Sequence, residues 1–217
     1  MGNKIQKIYV WSNLVRPPKP KEFYYHLVND WGSVAQLQSD WWTFYRESGT
    51  ATNWWEFWTN WMRNTNSWSG QRIAWIVMDN PLDCSNAKKL TIQSDVYINR
   101  GSWNWASNAW VASSTAQSPT IAWWRINSTY NSGANGYSLY WWSWWADNMT
   151  ALSTWNYTIK TILDLENKTA SQELTWMSSL SGTITDAWVT GIRTAPYLRI
   201  LFDNTWVYYK DIKMTIE

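Results

Sequence analysis

Residues 157–165 read Tyr-Thr-Ile-Lys-Thr-Ile-Leu-Asp-Leu, residues 198–204 read Leu-Arg-Ile-Leu-Phe-Asp-Asn, and residues 207–216 read Val-Tyr-Tyr-Lys-Asp-Ile-Lys-Met-Thr-Ile. β-Branched and aromatic side chains are abundant in all three stretches, and apolar residues recur at alternate positions over parts of each. Turn-forming residues stand shortly after the first stretch, at Asn167, and at the end of the second, at Asn204. This pattern is typical of strands in an antiparallel sheet.

Short apolar runs separated by Gly, Asn, Ser, Asp and Pro continue along the whole chain, and no stretch has a sustained helical period. A fold made of many short strands without helices closes either by packing two sheets face to face or by forming a barrel. We predict the first, an all-β, two-sheet antiparallel sandwich. The predicted strands are residues 6–10, 13–16, 22–28, 35–38, 43–46, 72–78, 90–98, 120–126, 137–140, 157–163, 171–176, 188–193, 198–202, 207–209 and 211–216.

The 217 residues suit one main domain, preceded by a small N-terminal element. Residues 1–20 contain a predicted hairpin and end in Arg-Pro-Pro-Lys-Pro, which cannot continue a β-ladder and indicates an extended linker. Residues 21–217 are then the sandwich domain.

Charge and cysteine content exclude several classes of function. The formal net charge is +2, and the 18 basic and 16 acidic residues form no long run of one sign, which argues against nucleic acid or an anionic membrane as partner. Cys84 is the single cysteine and His26 the single histidine, so the chain predicts no disulfide, zinc site or cofactor. The N-terminal residues lack a signal peptide's apolar core, and we expect no membrane anchor.

Tryptophan usage is anomalous: 23 tryptophans accompany 9 glycines, whereas glycine normally supplies about 7% of a chain. Many tryptophans stand among turn formers, as in residues 66–70, Asn-Ser-Trp-Ser-Gly. Trp11 occupies the slot of a predicted type II′ turn, and Trp206 the bulge slot of a hairpin predicted over residues 201–209, where glycine is usual.

We hypothesise that many tryptophans are glycines in the source organism, encoded by UGA codons translated as glycine. We then expect turn or loop backbone and exposed indoles at several of six positions. The alternative is an authentic tryptophan-rich chain with aromatic platforms for sugars or bases. The six positions are Trp11, Trp141, Trp142, Trp144, Trp145 and Trp206.

Together with Gln-Glu-Leu-Thr at residues 172–175, the three opening stretches resemble the concanavalin-A-like jelly-roll group, which includes laminin-G-type and many bacterial lectin domains. Residues 7–17 resemble the short hairpin at the start of many phage tail and surface-fibre proteins, provided that Trp11 is a glycine. The resemblance implies an extracellular, cell-surface or virion location, a glycan or cell-surface ligand and a possible homo-oligomer.

Catalytic motifs are missing from the sequence. One branch of the resembled group hydrolyses β-glucans with a Glu-x-Asp-x-Glu strand, but here Ile162 replaces the nucleophile ahead of Asp164 and Glu166. A strand-end turn explains that pair better. Cys84 has no basic neighbour in sequence to activate it. The Asp-Asn pairs that begin at Asp79, Asp147 and Asp203 are hard donors that calcium accepts, but turn formation explains them without an ion.

We therefore predict a non-catalytic carbohydrate-binding or adhesion module of a phage tail fibre or bacterial surface protein. The alternatives are a purely structural or assembly protein of a virion or surface layer and, third, a glycan-cleaving enzyme. Aromatic rings that stack on sugars and polar groups that bind hydroxyls are the expected binding residues. We look first at the segment 141–148, predicted to be a loop. The candidate ligand-binding residues are Tyr97, Arg125, Tyr137, Tyr140, Asp147 and Asn148.

Overall fold

The all-β prediction is confirmed: two antiparallel sheets form the sandwich, and the larger has eight strands in the described part of the chain. The computed structural model describes residues 20–27, 32–46, 55–58, 61–64, 73–98, 106–112, 124–127, 130–131, 134–135, 137–141, 144–148, 155–176, 179–194, 197–203 and 207–217. The strands of the larger sheet are β1 (Lys21–His26), β3 (Trp55–Trp58), β4 (Trp61–Asn64), β6 (Lys89–Ile98), β13 (Trp155–Asp164), β14 (Thr169–Leu174), β15 (Leu180–Thr183) and β17 (Val207–Ile216). Their order is β15-β14-β13-β6-β17-β4-β3, and β1 also pairs with β17.

The second sheet has the order β2-β5-β16-β7, and a three-stranded sheet, β12-β11-β8, adjoins it because β8 lies beside β7. The strands β9 and β10 pair with each other in a separate two-stranded sheet. These strands are β2 (Trp42–Arg46), β5 (Ile73–Met78), β7 (Ala106–Ala112), β8 (Trp124–Asn127), β9 (Tyr130–Asn131), β10 (Ala134–Asn135), β11 (Tyr137–Trp141), β12 (Trp144–Asn148) and β16 (Tyr197–Asp203).

The alternation of buried and partly exposed residues along each strand shows which face of the larger sheet is buried. Along β6, Leu90, Ile92, Ser94 and Val96 are buried, and the residues between them are only partly covered. The register pairs β6 with β13 on one side and with β17 on the other, so the same alternation passes to both neighbours. The larger sheet therefore has one apolar inner face and one polar outer face.

The inner faces of the two sheets meet in a single hydrophobic core. Phe202 of β16 is fully buried, and its ring centroid lies 5.0 Å from that of Trp55 and 5.1 Å from that of Tyr209. Phe44 of β2 lies 5.1 Å from the same Trp55 ring. All three contacts are T-shaped, an arrangement that aromatic rings prefer.

Two predicted strands are helices instead. Residues 35–38 lie in α1 (Val34–Ser39), which begins where the Ser33 hydroxyl accepts a hydrogen bond from the Gln36 N–H at 3.1 Å. Residues 188–193 lie in α2 (Asp186–Thr194). There Val189 and Ile192, three residues apart, face the core, a spacing that the strand prediction overlooked.

Other differences follow from our treatment of tryptophan as a turn residue. Segment 141–148, predicted to be a loop, contains β12, and Trp141, Trp144 and Trp145 lie in strands, so turn or loop backbone was wrong for these three. Trp141 pairs with Trp144, which leaves a two-residue connection between β11 and β12. Trp11, Trp142 and Trp206 lie outside the described residues, as do the predicted hairpin strands at residues 6–10 and 13–16.

The hairpin predicted over residues 201–209 is also wrong. β16 pairs with β5 and β7 in one sheet, whereas β17 pairs with β1, β4 and β6 in the other. The connection therefore crosses from sheet to sheet. Residues 207–209 and 211–216, predicted as separate strands, form the single strand β17 with an irregularity between Tyr209 and Ile212. Among the described helices, none is long and apolar enough to cross a bilayer.

Replacing Phe202 tests the inter-sheet contact. We expect Phe202→Ala to lower the free energy of unfolding by about 3–5 kcal/mol, because it removes a buried ring from between the sheets. Urea denaturation followed by far-UV circular dichroism measures the change. Tyr24→Ala is the matched control, since Tyr24 is 60% exposed and its loss costs about 1 kcal/mol or less. Equal losses in the two variants would contradict this description of the core.

Candidate functional site

The structure separates the six candidate residues into two regions. Register places Tyr140 opposite Arg125, and Ser138, two residues before Tyr140, opposite Asp147. Opposed residues, and residues two apart along a strand, belong to the same face of a sheet. Tyr140, Arg125 and Asp147 therefore share one face of the three-stranded sheet. Tyr137 and its register partner Asn148 belong to the other face.

Tyr97, the remaining candidate, lies on β6 of the larger sheet and points to the outer face, because its neighbour Val96 is buried in the core. Opposite it on β17 is Tyr208, and the two ring centroids are 5.5 Å apart in a T-shaped arrangement. Trp61 of β4, the strand beyond β17, also contacts Tyr97, with a centroid distance of 6.0 Å. Three aromatic rings from three strands therefore meet on the outer face, where Tyr97 and Trp61 are partly exposed and Tyr208, only 6% exposed, supports them from beneath Arg63.

Arg63 of β4 adds a cation to these rings. Its guanidinium carbon lies 5.1 Å from the centre of the Tyr208 ring, within the range of a cation–π interaction. Its Nε donates a 2.6 Å hydrogen bond to Oε2 of Glu56, which lies opposite on β3. Arg63 is thus held by the Glu56 carboxylate and by the face of the Tyr208 ring. We call Glu56, Trp61, Arg63, Tyr97 and Tyr208 the Tyr97 cluster.

Such a cluster suits a sugar. Rings of tyrosine and tryptophan present apolar faces to the C–H groups of a pyranose, and guanidinium and carboxylate groups bind its hydroxyls. The side chains of Arg63 and Glu56 are 22% and 45% exposed, so polar atoms remain accessible beside the partly covered Tyr97 and Trp61. The cluster therefore combines a stacking surface with hydrogen-bonding groups in a fixed arrangement.

Sequence reasoning identified Tyr97 but not the other four members. The signal was present in Trp61-Met62-Arg63, where buried Met62 between two partly covered residues marks a strand with one inner face. Our interpretation of the tryptophans in residues 54–68 as turn residues concealed β3 and β4. Tyr208 was assigned to a strand without a role.

A polar groove lies on the same outer face, over β13 and β14. Its volume is about 450 Å³. Thr158 donates a 2.8 Å hydrogen bond from Oγ1 to Oδ1 of Asp95, and Lys160 Nζ lies 3.3 Å from Oε2 of Glu173. Hydroxyl and charged groups thus define this surface. We call it the β13–β14 groove; its lining residues are Thr158, Lys160, Glu173, Leu174, Thr175 and Ser179.

Asp164 and Glu166 have structural roles. Asp164 accepts hydrogen bonds from the backbone N–H and the side-chain amide of Asn167, at 2.7 and 2.8 Å, as its turn interpretation predicts. These bonds, above all the one from the backbone N–H of Asn167, hold the pKa of the Asp164 carboxyl below its usual value. A general acid requires a raised pKa instead. Glu166 forms a 2.8 Å ion pair with Lys88.

Asp79, one of the carboxylates considered for calcium, and the nearby Asp83 have protein partners. Asp79 accepts a hydrogen bond from the Thr43 hydroxyl, and Asp83 accepts 2.7 and 3.2 Å bonds from the hydroxyl and N–H of Ser85. The Ser85 bonds are the main cause of the lowered pKa of Asp83. In the part of the chain that the structure describes, no group of three His, Cys, Asp or Glu residues is arranged to hold a metal ion.

Solved lectin structures share this architecture along nearly their whole length. Winged bean acidic lectin complexed with methyl-α-D-galactose superposes with a TM-score of 0.59 at 9% identity, covering 92% of this chain and 99% of the lectin. The fold is the legume-lectin jelly roll. Peanut lectin with a nine-residue peptide gives 0.57 at 8% identity, covering 92% and 98%. The metal-free carbohydrate recognition domain of Emp46p gives 0.55 at 10% identity, covering 88% and 95%.

These neighbours confirm the concanavalin-A-like jelly roll predicted from the sequence. No protein-family model and no curated protein sequence matches the chain. At 8–10% identity the likeness is one of fold, because a jelly roll hosts many unrelated functions. Function has to be argued from this chain's own side chains.

Cys84 provides a test of the interpretation that its thiol is not a nucleophile. The residue is 1% exposed, and burial, assisted by the nearby Asp83 carboxylate, raises its pKa to about 12. The thiolate is the reactive form, so a thiol with this pKa stays protonated at pH 8. We expect a disulfide reagent such as DTNB to label the native protein far more slowly than the urea-unfolded protein. Equal labelling rates would show that Cys84 is accessible and reactive.

Proposed function

We propose that the chain is a non-catalytic carbohydrate-binding or adhesion module of a phage tail fibre or bacterial surface protein, located outside the cell, on its surface or on a virion. The observation that carries the proposal is the packing of Tyr97, Tyr208 and Arg63 on the outer face of the larger sheet. The fold supports it, since one neighbour is a lectin complexed with methyl-α-D-galactose.

Only one member of the Tyr97 cluster, Trp61, is a tryptophan. Tyr97, Tyr208, Arg63 and Glu56 hold one another by ring contacts and a hydrogen bond, whichever residue occupies position 61. Trp61 enlarges the stacking surface where it is genuine. The grouping of Arg125, Tyr140 and Asp147 on one face of the three-stranded sheet stays a second predicted ligand-binding region.

A glycan array tests the function, with Tyr97→Ala as the decisive variant. We expect the unmodified chain to bind a defined set of glycans and Tyr97→Ala to lose about thirtyfold in affinity, since truncating a central aromatic contact typically costs about 2 kcal/mol. Tyr24→Ala is the matched control. Tyr24 is an exposed tyrosine that shares the outer face of the same sheet, opposite Lys213.

Two outcomes would contradict the proposal. An array silent across bacterial and plant glycans, with the chain in a stable trimer or larger assembly, would favour the structural or assembly alternative. Binding that Tyr24→Ala and Tyr97→Ala weaken equally would place the site elsewhere.

We further propose that tryptophans at some positions stand where the source organism inserts glycine at UGA codons. Trp41 and Trp176 support this, because both have left-handed backbone, with φ of 67° and 69°, and both are exposed, by 63% and 90%. Lys168 is the one other non-glycine residue with positive φ in the described part of the chain. Trp41 follows Asp40, the C-cap of α1, at the position where helices commonly place glycine.

Glycine substitutions test the recoding. We expect Trp41→Gly and Trp176→Gly each to raise the free energy of unfolding by about 0.5–1 kcal/mol. Relief of left-handed strain, about 1–2 kcal/mol, exceeds the cost of the greater freedom of glycine in the unfolded chain. The matched control is Trp42→Gly, the next residue, which is 2% exposed and should lose about 3–5 kcal/mol. Urea denaturation measures all three.

Peptide mass spectrometry of protein made by the source organism reads the residue directly. Glycine masses at positions 41 and 176 support the recoding. Tryptophan masses there, or a loss of stability in both glycine variants, would overturn it.

A further inference from the structure

We propose that the Tyr97 cluster and the β13–β14 groove are one continuous site for a linear, neutral oligosaccharide longer than a disaccharide. This inference rests on the proposed function, and it specifies the class and length of the ligand.

Register connects the two surfaces. Arg63 is in line with Tyr208, since their neighbours Met62 and Tyr209 pair; Tyr208 lies opposite Tyr97, and Tyr97 opposite Asn156 of β13. Asn156 is exposed, and Thr158, two residues further along the same face of β13, lines the groove. A bound ligand can therefore extend from the Tyr97 ring to the β13–β14 groove along one face of the sheet.

The dimensions require more than a disaccharide. The path crosses from β4 over β17, β6 and β13 to β14. Four inter-strand spacings of about 4.8 Å give about 19 Å, and an open groove of about 450 Å³ lies at the far end. A disaccharide on Tyr97 leaves the groove unfilled, whereas a chain of about four sugars reaches Lys160 and Glu173.

The charges favour a neutral ligand. Arg63 is paired with Glu56, and Lys160 with Glu173, so neither cation is free to attract an acidic sugar. Asp95 adds a carboxylate beside Thr158. A uronic acid or sialic acid would meet this surface with repulsion, while a neutral sugar can exchange hydrogen bonds with the paired groups and the threonine hydroxyls.

Titration calorimetry with a ladder of oligosaccharides tests the inference. The probes are neutral homologues of one, two, four and six residues from the sugar series that binds best on the array, with an acidic ladder of equal lengths beside them. We expect Kd to fall at least tenfold from the disaccharide to the tetrasaccharide and to level off by the hexasaccharide. The acidic ladder should bind more weakly at every length.

Two double variants test whether the gain in affinity with ligand length comes from the β13–β14 groove. Lys160→Ala/Glu173→Ala removes an exposed ion pair from the groove and should reduce tetrasaccharide affinity to that of the disaccharide, leaving the disaccharide unchanged. Lys88→Ala/Glu166→Ala removes an exposed pair elsewhere and should change neither. Tyr97→Ala should weaken every length, because it removes the stacking surface.

The failures can be told apart. If Kd is the same for disaccharide and tetrasaccharide, the extended site is overturned and the proposed function stands. If the groove variant weakens binding of the disaccharide as much as that of the tetrasaccharide, the inference is wrong about which surface binds the first sugars. If the acidic ladder binds more tightly than the neutral one, the inference is wrong about the charge of the ligand. If no sugar binds, the proposed function fails and the inference fails with it.

Discussion

Phe202, held between Trp55 and Tyr209, is the contact on which the outer face depends. Because Tyr209 faces Phe202 inside the sandwich, Tyr208 faces outward, and because Tyr209 pairs with Val96 and Met62, the next residues Tyr97 and Arg63 face outward as well. A shift of one residue in this register would exchange the two faces. The Tyr97 cluster is therefore a consequence of how the core is packed.

Alternation made four strands in the last third of the chain predictable. β13, β14, β16 and β17 appear within a few residues of their predicted positions, because each buries alternate apolar residues in the core. Tyr97 was identifiable for the same reason, as an aromatic residue next to buried Val96. A local sequence pattern is sufficient to predict a strand where one face of the strand is apolar and the other is not.

The rest of the fold and of the candidate site depends on contacts between residues that are distant in sequence. The ring partners of Tyr97 are Trp61 and Tyr208, and Arg63 lies over the Tyr208 ring. No local pattern predicts that β4 and β17, which supply these residues, are neighbours. Short helices such as α1 and α2 contain few turns, so the spacing of their two or three apolar residues fits a strand as well as a helix. The tryptophans added a third difficulty, since reading them as turn residues removed β3 and β4 from the prediction.

The pairing of β6 with β17 has a consequence for synthesis. The two strands are residues 89–98 and 207–216, and β13, the other neighbour of β6, begins only at Trp155. At about 5–20 residues per second on the ribosome, β6 spends roughly ten seconds without its second partner. During that interval an apolar strand with an open hydrogen-bonding edge is exposed to other nascent chains. Prompt protection by chaperones should therefore matter more for the yield of this protein than the stability of its finished sandwich.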